Sequence, residues 1–378
     1  MIWEYRYLKR IDFRTLPLIL GLMIMSILIL SSTTYDIQII ETKTFFTSHV
    51  KHQLERFGIG AIAYLFFAGL DYHRLRNWSW VFYVATIVLL LGLFFTDSIQ
   101  HVHRWYRIPF IGGTLQPSEY AKLSLVLTLS WLLEKKGTHV HCWNTFFQAA
   151  GIVLLPFILI LHQPDLGSAL ILLPIALAIF YFGGVRQIVI KIMSSVGAAI
   201  LILISLIFTD ILPHDELKPM ATQMLKEYQY ERFNPKTYHH HAAQTAIALG
   251  AYKGSGWKKS IFTGRQFLPA AHTDSVFPAF IEEFGLLGAI CMLFLFFALI
   301  YCNFQVTAVA RDYFGQILSA GISVYLAIHV IMNIGMMCGF LPITGIPLIL
   351  ITYGGSSITL TMSALGILQS IYTRRFMF

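Results

Sequence analysis

Charge is the scarce ingredient of this chain. Only 12% of its 378 residues are Asp, Glu, Lys or Arg, against 56% hydrophobic, and the mean hydropathy is +0.67. A water-soluble domain carries about 25% charged residues, so this composition excludes water as the main solvent. Cysteine is scarce too, with Cys142, Cys291, Cys302 and Cys338 alone. None forms a metal-type pair and three lie in or beside apolar runs. That excludes a disulfide framework and leaves them as small apolar fillers. No basic cluster carries interleaved aromatics, so the net charge of +8 does not mark a nucleic-acid surface. A small-residue cleavage site is also missing after the first apolar run. Ser31-Ser32-Thr33-Thr34 follows Leu16–Leu30, and the run reads as a retained membrane anchor, not a signal peptide.

What the chain has is apolar runs of roughly membrane-spanning length. They cover Leu16–Ser32, Phe57–Leu70, Trp78–Phe95, Tyr120–Leu133, Phe147–Leu161, Ser168–Phe182, Val189–Phe208, Val276–Tyr301, Ile317–Met337 and Pro347–Ile371. The expected fold is an all-α polytopic membrane protein of about ten transmembrane helices, forming one integral domain over residues 1–378. A long extracytoplasmic loop, residues 210–275, separates helices 7 and 8. No internal repeat is visible in the spans.

Lys and Arg set the orientation. Arg6, Lys9, Arg10, Arg14, Arg74, Arg76, Lys135, Lys136, Arg186, Arg311, Arg374 and Arg375 all fall on one side of a ten-span layout. That side is the cytoplasm, so both termini are expected there. In the long external loop Met220, Met224, Leu225 and Tyr228 recur at helical spacing among charges, as in a helix lying in the interface. Pro235 should end it, and Ala242–Leu249 reads as a second short helix.

Polar residues crowd the external ends of the spans. Glu119 and Lys122 are three apart and share a helix face, either as an ion pair that orients the span or as part of a site. Asp165 is placed to cap the sixth helix or to contact a ligand. Asn333, inside the ninth span, suits a bond to a neighbouring helix. His239-His240-His241 imitates a metal site, but consecutive helical residues point about 100° apart and cannot share one ion. Arg104, Arg107, Arg232 and Arg265 are all external. Guanidinium forks around one site would suit a pyrophosphate head group, whereas singly each would be an interfacial anchor. Glu282 and Glu283 are adjacent carboxylates in an apolar span, suited to helix packing or a relay. Asp274, in Leu268-Pro-Ala-Ala-His-Thr-Asp274, stands at the outer surface beside apolar Val276 and Phe277. It either caps the next helix or, with partial burial raising its pKa, accepts a proton.

Seven motifs then occur in order: Arg104-Trp105, Gln116-Pro-Ser-Glu-x-x-Lys122, Gln163-Pro-Asp-Leu-Gly-Ser168, Leu268-Pro-x-x-His-Thr-Asp274, Glu282-Glu-x-Gly285, Asn333-Ile-Gly335, and Leu341-Pro-x-Thr-Gly-Ile-Pro347 through Tyr353-Gly-Gly-Ser-Ser357. Together they resemble the shape, elongation, division and sporulation family of bacterial cell-wall polymerases, over nearly the whole chain. The short tails look more like its elongation than its division members. The resemblance implies a peptidoglycan glycosyltransferase polymerising lipid II at the outer face of the bacterial cytoplasmic membrane, with undecaprenyl pyrophosphate leaving. It implies Asp274 as the catalytic residue, and a substrate site drawn from Arg104, Glu119, Lys122, Asp165, Arg232, Arg265, His272 and Thr273. A class B penicillin-binding protein is the expected partner. A divalent cation, Mg or Mn, is the one cofactor expected, its ligands unassigned, with no organic cofactor. The chain departs from the family at Ser275-Val276-Phe277, where aromatic and branched residues are usual, at Leu249-Gly250-Ala251-Tyr252, where a Gly-Ser-Gly-Gly stretch is usual, and at Thr245, where serine is common. The rival reading is a lipid II flippase, with Glu119, Lys122, Asp165 and Asn333 lining a path. Against it, the polar groups gather towards the external ends alone.

Overall fold

The computed structural model describes residues 10–33, 45–95, 104–108, 113–209, 211–221 and 230–376. In chain order its helices are α1 (Thr15–Thr33), α2 (Ser48–Gly69), α3 (Tyr72–Gly92), α4 (Pro117–Lys136), α5 (Trp143–His162), α6 (Leu166–Phe182), α7 (Gln187–Phe208), α8 (His214–Ala221), α9 (Tyr238–Gly250), α10 (Val276–Val309), α11 (Tyr313–Met337) and α12 (Gly355–Arg374). Each of the ten longer ones overlaps one apolar run. Six of them, α1, α3, α5, α7, α10 and α11, are long and apolar enough to cross a membrane by length and composition. The chain is a helical polytopic membrane protein.

α11 is the axis of the bundle and packs on α4, α6, α10 and α12. Its apolar side chains Ile317, Leu318, Ile322 and Leu326 are wholly buried. α7 is at the other extreme and presents Ile200, Leu201, Ile202 and Leu203 outward, as a lipid-facing helix does. α2 and α12 pack closely because Gly366 lets the Tyr64 backbone approach. A Cβ at Gly366 would lie 2.6 Å from the Tyr64 carbonyl oxygen. Small residues serve this purpose where no hydrophobic effect drives helices together.

Five expectations need correction or qualification. α2 starts at Ser48, not Phe57, because Thr47 caps it by accepting a hydrogen bond from the Val50 N–H at 3.4 Å. The added turns bring His49, Gln53 and Arg56 onto the helix. α12 starts at Gly355, not Pro347. The preceding segment turns back irregularly, with Leu348, Ile349, Leu350 and Ile351 buried. Irregular backbone is tolerated among spans only where protein encloses it, and here the Leu348 N–H bonds Thr352 Oγ1 at 2.8 Å. The all-α expectation meets one antiparallel ribbon, β1 (Tyr106–Ile108) with β2 (Gly113–Leu115), in which Tyr106 pairs with Leu115. The interfacial-helix reading rests on Met224, Leu225 and Tyr228, which lie outside the described residues. The second short helix of that loop is α9, longer at both ends than Ala242–Leu249.

α10 is broken at Gly285, whose φ of 63° and ψ of −163° are not helical. The loop after α9 threads into this break. The Leu286 N–H donates to the Ala251 carbonyl at 3.0 Å, and the Ser255 and Gly256 N–H groups donate to the Glu282 and Glu283 carbonyls, each at 2.9 Å. A side chain at 285 would strike the Tyr252 carbonyl, 2.6 Å from a Cβ built there. Glycine is required by both the positive φ and the approach.

Candidate functional site

The site is assembled where the starts of α4, α6 and α10 meet α11. Asp274 occupies the last non-helical turn before α10, and Ser275 precedes the first helical residue. This stretch is held on several sides. The Asn333 side-chain amide donates to the Asp274 carbonyl at 3.0 Å and to the Ile346 carbonyl at 2.7 Å. The Tyr353 N–H donates to the His272 carbonyl at 3.1 Å, and the Ser275 N–H to the Ala270 carbonyl at 3.1 Å. Ser275 Oγ lies 2.7 Å from His239 Nε2 on α9. Among the described residues nothing donates a hydrogen bond to the Asp274 carboxylate itself. Its backbone is fixed while its side chain is uncommitted.

That carboxylate keeps some exposed surface but is crowded by protein on most sides. Desolvation, with the negative charge of Asp165 adding to it and the positive charge of Arg104 opposing it, pushes its pKa up from 3.8 to about 6. A carboxylate so tuned is ionised at neutral pH and still a better proton acceptor than a free aspartate.

Asp165 caps α6 by accepting the Ser168 N–H at 3.2 Å through Oδ1. Its Oδ2 takes hydrogen bonds from Gln116 Nε2 and Ser118 Oγ, both at 3.1 Å. One carboxylate therefore clamps the starts of α4 and α6 together, and both its oxygens are engaged. Arg104 donates Nε to the Gln163 carbonyl at 3.1 Å and its Nη2 to the Pro164 carbonyl. It reaches Asp274 through its charge.

Glu119 and Lys122 form an ion pair at 2.6 Å, with relative exposures of 2% and 1%. Buried this deeply, neither presents itself to a head group in this structure. Lys122 Nζ also lies 2.8 Å from His329 Nε2, and His329 Nδ1 lies 2.7 Å from the Tyr325 carbonyl. Nδ1 must donate there, so Nε2 is the acceptor and the imidazole is neutral. Tyr325, His329 and Asn333 stand at i, i+4 and i+8 on α11, one turn or about 6 Å apart. A polar column thus runs from the Glu119–Lys122 pair up to the Asp274 carbonyl. His329 was not singled out from the sequence, although this spacing within an apolar span was the available signal.

His272 is half-buried and its ring lies 5.6 Å from that of His49 and 6.3 Å from that of Tyr353. Burial, then the neighbouring His49, lowers its pKa below 6.5. Thr273 turns its hydroxyl back onto the Ala270 carbonyl at 3.3 Å. Arg56 was missed altogether. Its guanidinium stacks on Tyr353 at 4.0 Å, and Nη1 is buried without a hydrogen-bond partner. It escaped notice because the second run was taken to begin one residue later. Arg265 is exposed and Arg232 sits in a short turn before α9. Among the described residues, the charges acting on Asp274 are those of Asp165 and Arg104, not of Arg265 or Arg232. Arg107 lies on β1.

Glu282 and Glu283 prove to be anchors for the segment that precedes α10. Glu282 accepts the N–H groups of Phe262 and Thr263 at 2.8 and 2.9 Å. Glu283 accepts the hydroxyls of Ser260, at 3.0 Å, and Ser32. The histidine triplet diverges as expected. His239 meets Ser275, His240 is buried against Phe208 and His241 is exposed. Among the described residues no group of three or more His, Cys, Asp or Glu is placed to hold a metal ion.

Residues 13–376 match the model of the cell cycle proteins that group FtsW, RodA and SpoVE. The chain belongs to this family, the one its motifs resemble, and within it is most like the RodA proteins. It is 33% identical over 334 residues to the peptidoglycan glycosyltransferase MrdB of Helicobacter pylori, covering 85% of this chain and 82% of the relative. Against MrdB of Escherichia coli the identity is 28% over 371 residues, 97% of this chain and 94% of the relative. Among solved structures it superposes on a chain of a peptidoglycan synthase complex with a TM-score of 0.73, at 22% identity and covering 97% and 98% of the two chains. The rod shape determining protein RodA of Thermus thermophilus, as a mutant, gives 0.70 at 23% identity with the same coverage. Those two likenesses show the fold.

Proposed function

We infer that this chain is a peptidoglycan glycosyltransferase of cell elongation, and we propose that it polymerises lipid II with Asp274 as its base. Its curated relatives carry that activity in their names, and the observation that carries the site is the fixed but uncommitted Asp274 carboxylate. In the proposed step the acceptor sugar's 4-hydroxyl attacks the anomeric carbon of a second lipid-linked disaccharide. The hydroxyl proton passes to Asp274, the new glycosidic bond forms, and the bond to undecaprenyl pyrophosphate breaks with its electron pair on the leaving phosphate. The lipid tails hold both head groups at the membrane surface, which supplies orientation before any bond changes. Charge developing on the pyrophosphate needs cations. Arg56, with an unpartnered buried Nη1 beside the Asp274 loop, is better placed for this than Arg232 or Arg265. Arg104 would act from its anchored position, or after release from the Gln163 and Pro164 carbonyls.

Among the described residues no metal cage is present; a Mg or Mn ion would be held on the protein side by Asp274, with Asp165 available only beyond the hydrogen bonds that already engage both its oxygens. Such an ion would supply charge stabilisation to the leaving group. Glu119, Lys122, His329 and Asn333 are positioning residues that set the height of Asp274. The cytoplasmic membrane is the proposed location, with both termini on the cytoplasmic side and the Asp274 end outside. A class B penicillin-binding protein is the proposed partner. A chain of similar fold is part of a synthase complex that coordinates polymerization and crosslinking.

The test is lipid II polymerisation by the purified protein, with and without that partner and with a divalent cation present. Glycan from the wild type and none from Asp274→Ala supports the reading. Equal glycan from both overturns the role of Asp274. No glycan from either overturns the activity.

A further inference from the structure

At the opposite end of the bundle from Asp274, a groove of about 480 Å³ opens between α3, α4 and α5. It lies about 20 Å along α4 from the Asp165 clamp, taking 1.5 Å per residue from Gln116 to Trp131. Its volume falls within the roughly 300–1,000 Å³ of small-molecule sites. Trp80, Trp131, Leu155 and Gly151 line it, with Gln148 as a polar wall residue. Gly151 in its lining leaves open space, since an added Cβ would meet nothing within 4 Å. Trp80 and Leu155 are about half exposed, so the opening faces the bilayer sideways, where lipid chains are the surrounding solvent.

The mouth is charged. Lys135 holds its ammonium 4.9 Å from the centre of the Trp131 ring, and Lys136 follows it in the last turn of α4. Among the described residues neither lysine has an ion-pair partner. The nearby cation Arg76 is already committed to Glu134 at 3.1 Å. An apolar slot within the membrane, with Lys135 over its Trp131 wall, Lys136 next along the helix and neither in an ion pair among the described residues, has the form of one acyl chain joined to an anionic head group. We propose that this groove binds an anionic phospholipid, with an acyl chain against Trp80 and Trp131 and its phosphate on Lys135 and Lys136. The site is separate from the Asp274 chemistry and does not depend on it.

The full-length protein in nanodiscs tests this by tryptophan quenching. The probes are phosphatidylglycerol and phosphatidylcholine brominated on the acyl chain, each titrated over the same range of mole fraction in unbrominated phosphatidylcholine. The Trp131 signal is the difference between the wild type and Trp131→Phe. Half-quenching of Trp131 is expected at a mole fraction of phosphatidylglycerol at least tenfold below that of phosphatidylcholine, with about fivefold lost for each lysine replaced in Lys135→Gln and Lys136→Gln. Gly151→Leu fills the slot and should abolish the selective quenching, while circular dichroism and melting confirm a folded protein. Equal quenching by the two lipids would mean ordinary boundary lipid and overturn the proposal. So would selective quenching that survives Gly151→Leu, which would move the lipid elsewhere on the surface.

Discussion

Replacing Lys122 with methionine should be among the most damaging single changes in the bundle. The substitution keeps the volume but leaves Glu119 buried without its counter-charge. Glu119 is 2% exposed and its Oε2 already lacks a hydrogen-bond donor, so removing the 2.6 Å bond to Oε1 strips the carboxylate bare. Breaking a buried pair from one side costs about 3–5 kcal/mol, whereas replacing both partners by apolar residues is often neutral. We therefore expect Lys122→Met to lose about 3 kcal/mol or more, and Glu119→Leu with Lys122→Met to recover most of it. The assay is reversible unfolding in mixed detergent, read as a double-mutant cycle. Activity separates structure from function. If the column under Asn333 sets the Asp274 carbonyl, the recovered double variant folds well yet polymerises poorly. A Lys122→Met loss below about 1 kcal/mol, or a double variant no more stable than the single, would refute the buried-pair reasoning.

Asp274→Asn should be inactive yet more stable at pH 7. The folded pKa of about 6 exceeds the unfolded value, so the native state binds the proton more tightly. The stability that this confers is complete below about pH 4 and is lost as pH rises through 6; at pH 7 the ionised carboxylate costs on the order of 3 kcal/mol. For the same reason wild-type polymerisation should rise with pH to half its plateau near pH 6, and a plateau reached by pH 5 would remove Asp274 as the base. Asn333→Ala should lower kcat about tenfold or more with little change in KM, since it frees the Asp274 and Ile346 carbonyls without touching substrate; a pure KM effect would contradict a positioning role. Arg56→Lys keeps the charge but loses the flat stack on Tyr353. It should raise KM for lipid II several-fold in steady-state assays, and unchanged kinetics would exclude Arg56 from the pyrophosphate site.

The spans were legible because apolar length is a local property, and each of the ten runs found a helix. Their ends were less so. Arg56 and His49 look like loop residues to a hydropathy window, yet Thr47 caps a helix that carries both into the bundle. Pro347–Ile351 looks like membrane because it is apolar. It is instead part of a buried irregular turn, enclosed by protein and following the Ile346 carbonyl that Asn333 holds, and no local pattern distinguishes those cases. Asp274 was legible as a carboxylate at a polar–apolar seam. Its neighbours were not, since Asp165 and Arg104 reach it only after α4, α6 and α10 have packed. The four arginines that charge counting assigns to the outside illustrate the same limit. Which of them lies near Asp274 depends on tertiary contacts, and Arg104 is the one whose charge reaches it.

The pattern of hydrogen bonds also bears on how such a site can remain both reactive and stable. Among the described residues, four polar groups near Asp274 that could have neutralised its carboxylate are engaged elsewhere. Arg104 is spent on backbone carbonyls, the Asn333 amide on two more, His239 on Ser275, and Lys122 on Glu119 and His329. Satisfying those partners stabilises the fold, and the side effect is a carboxylate left desolvated and unpaired. A donor introduced within reach of Asp274 should therefore stabilise the protein while lowering its proton affinity and its rate. Gly345→Ser is the direct trial, since a Cβ built there lies 3.4 Å from Asp274 Oδ2. Its positive φ of 75° imposes strain on any side chain, so Gly345→Ala is the necessary reference. If serine melts above alanine and its pH midpoint falls below 6, the uncommitted state of Asp274 is what sets its basicity. If serine and alanine titrate alike, desolvation alone does.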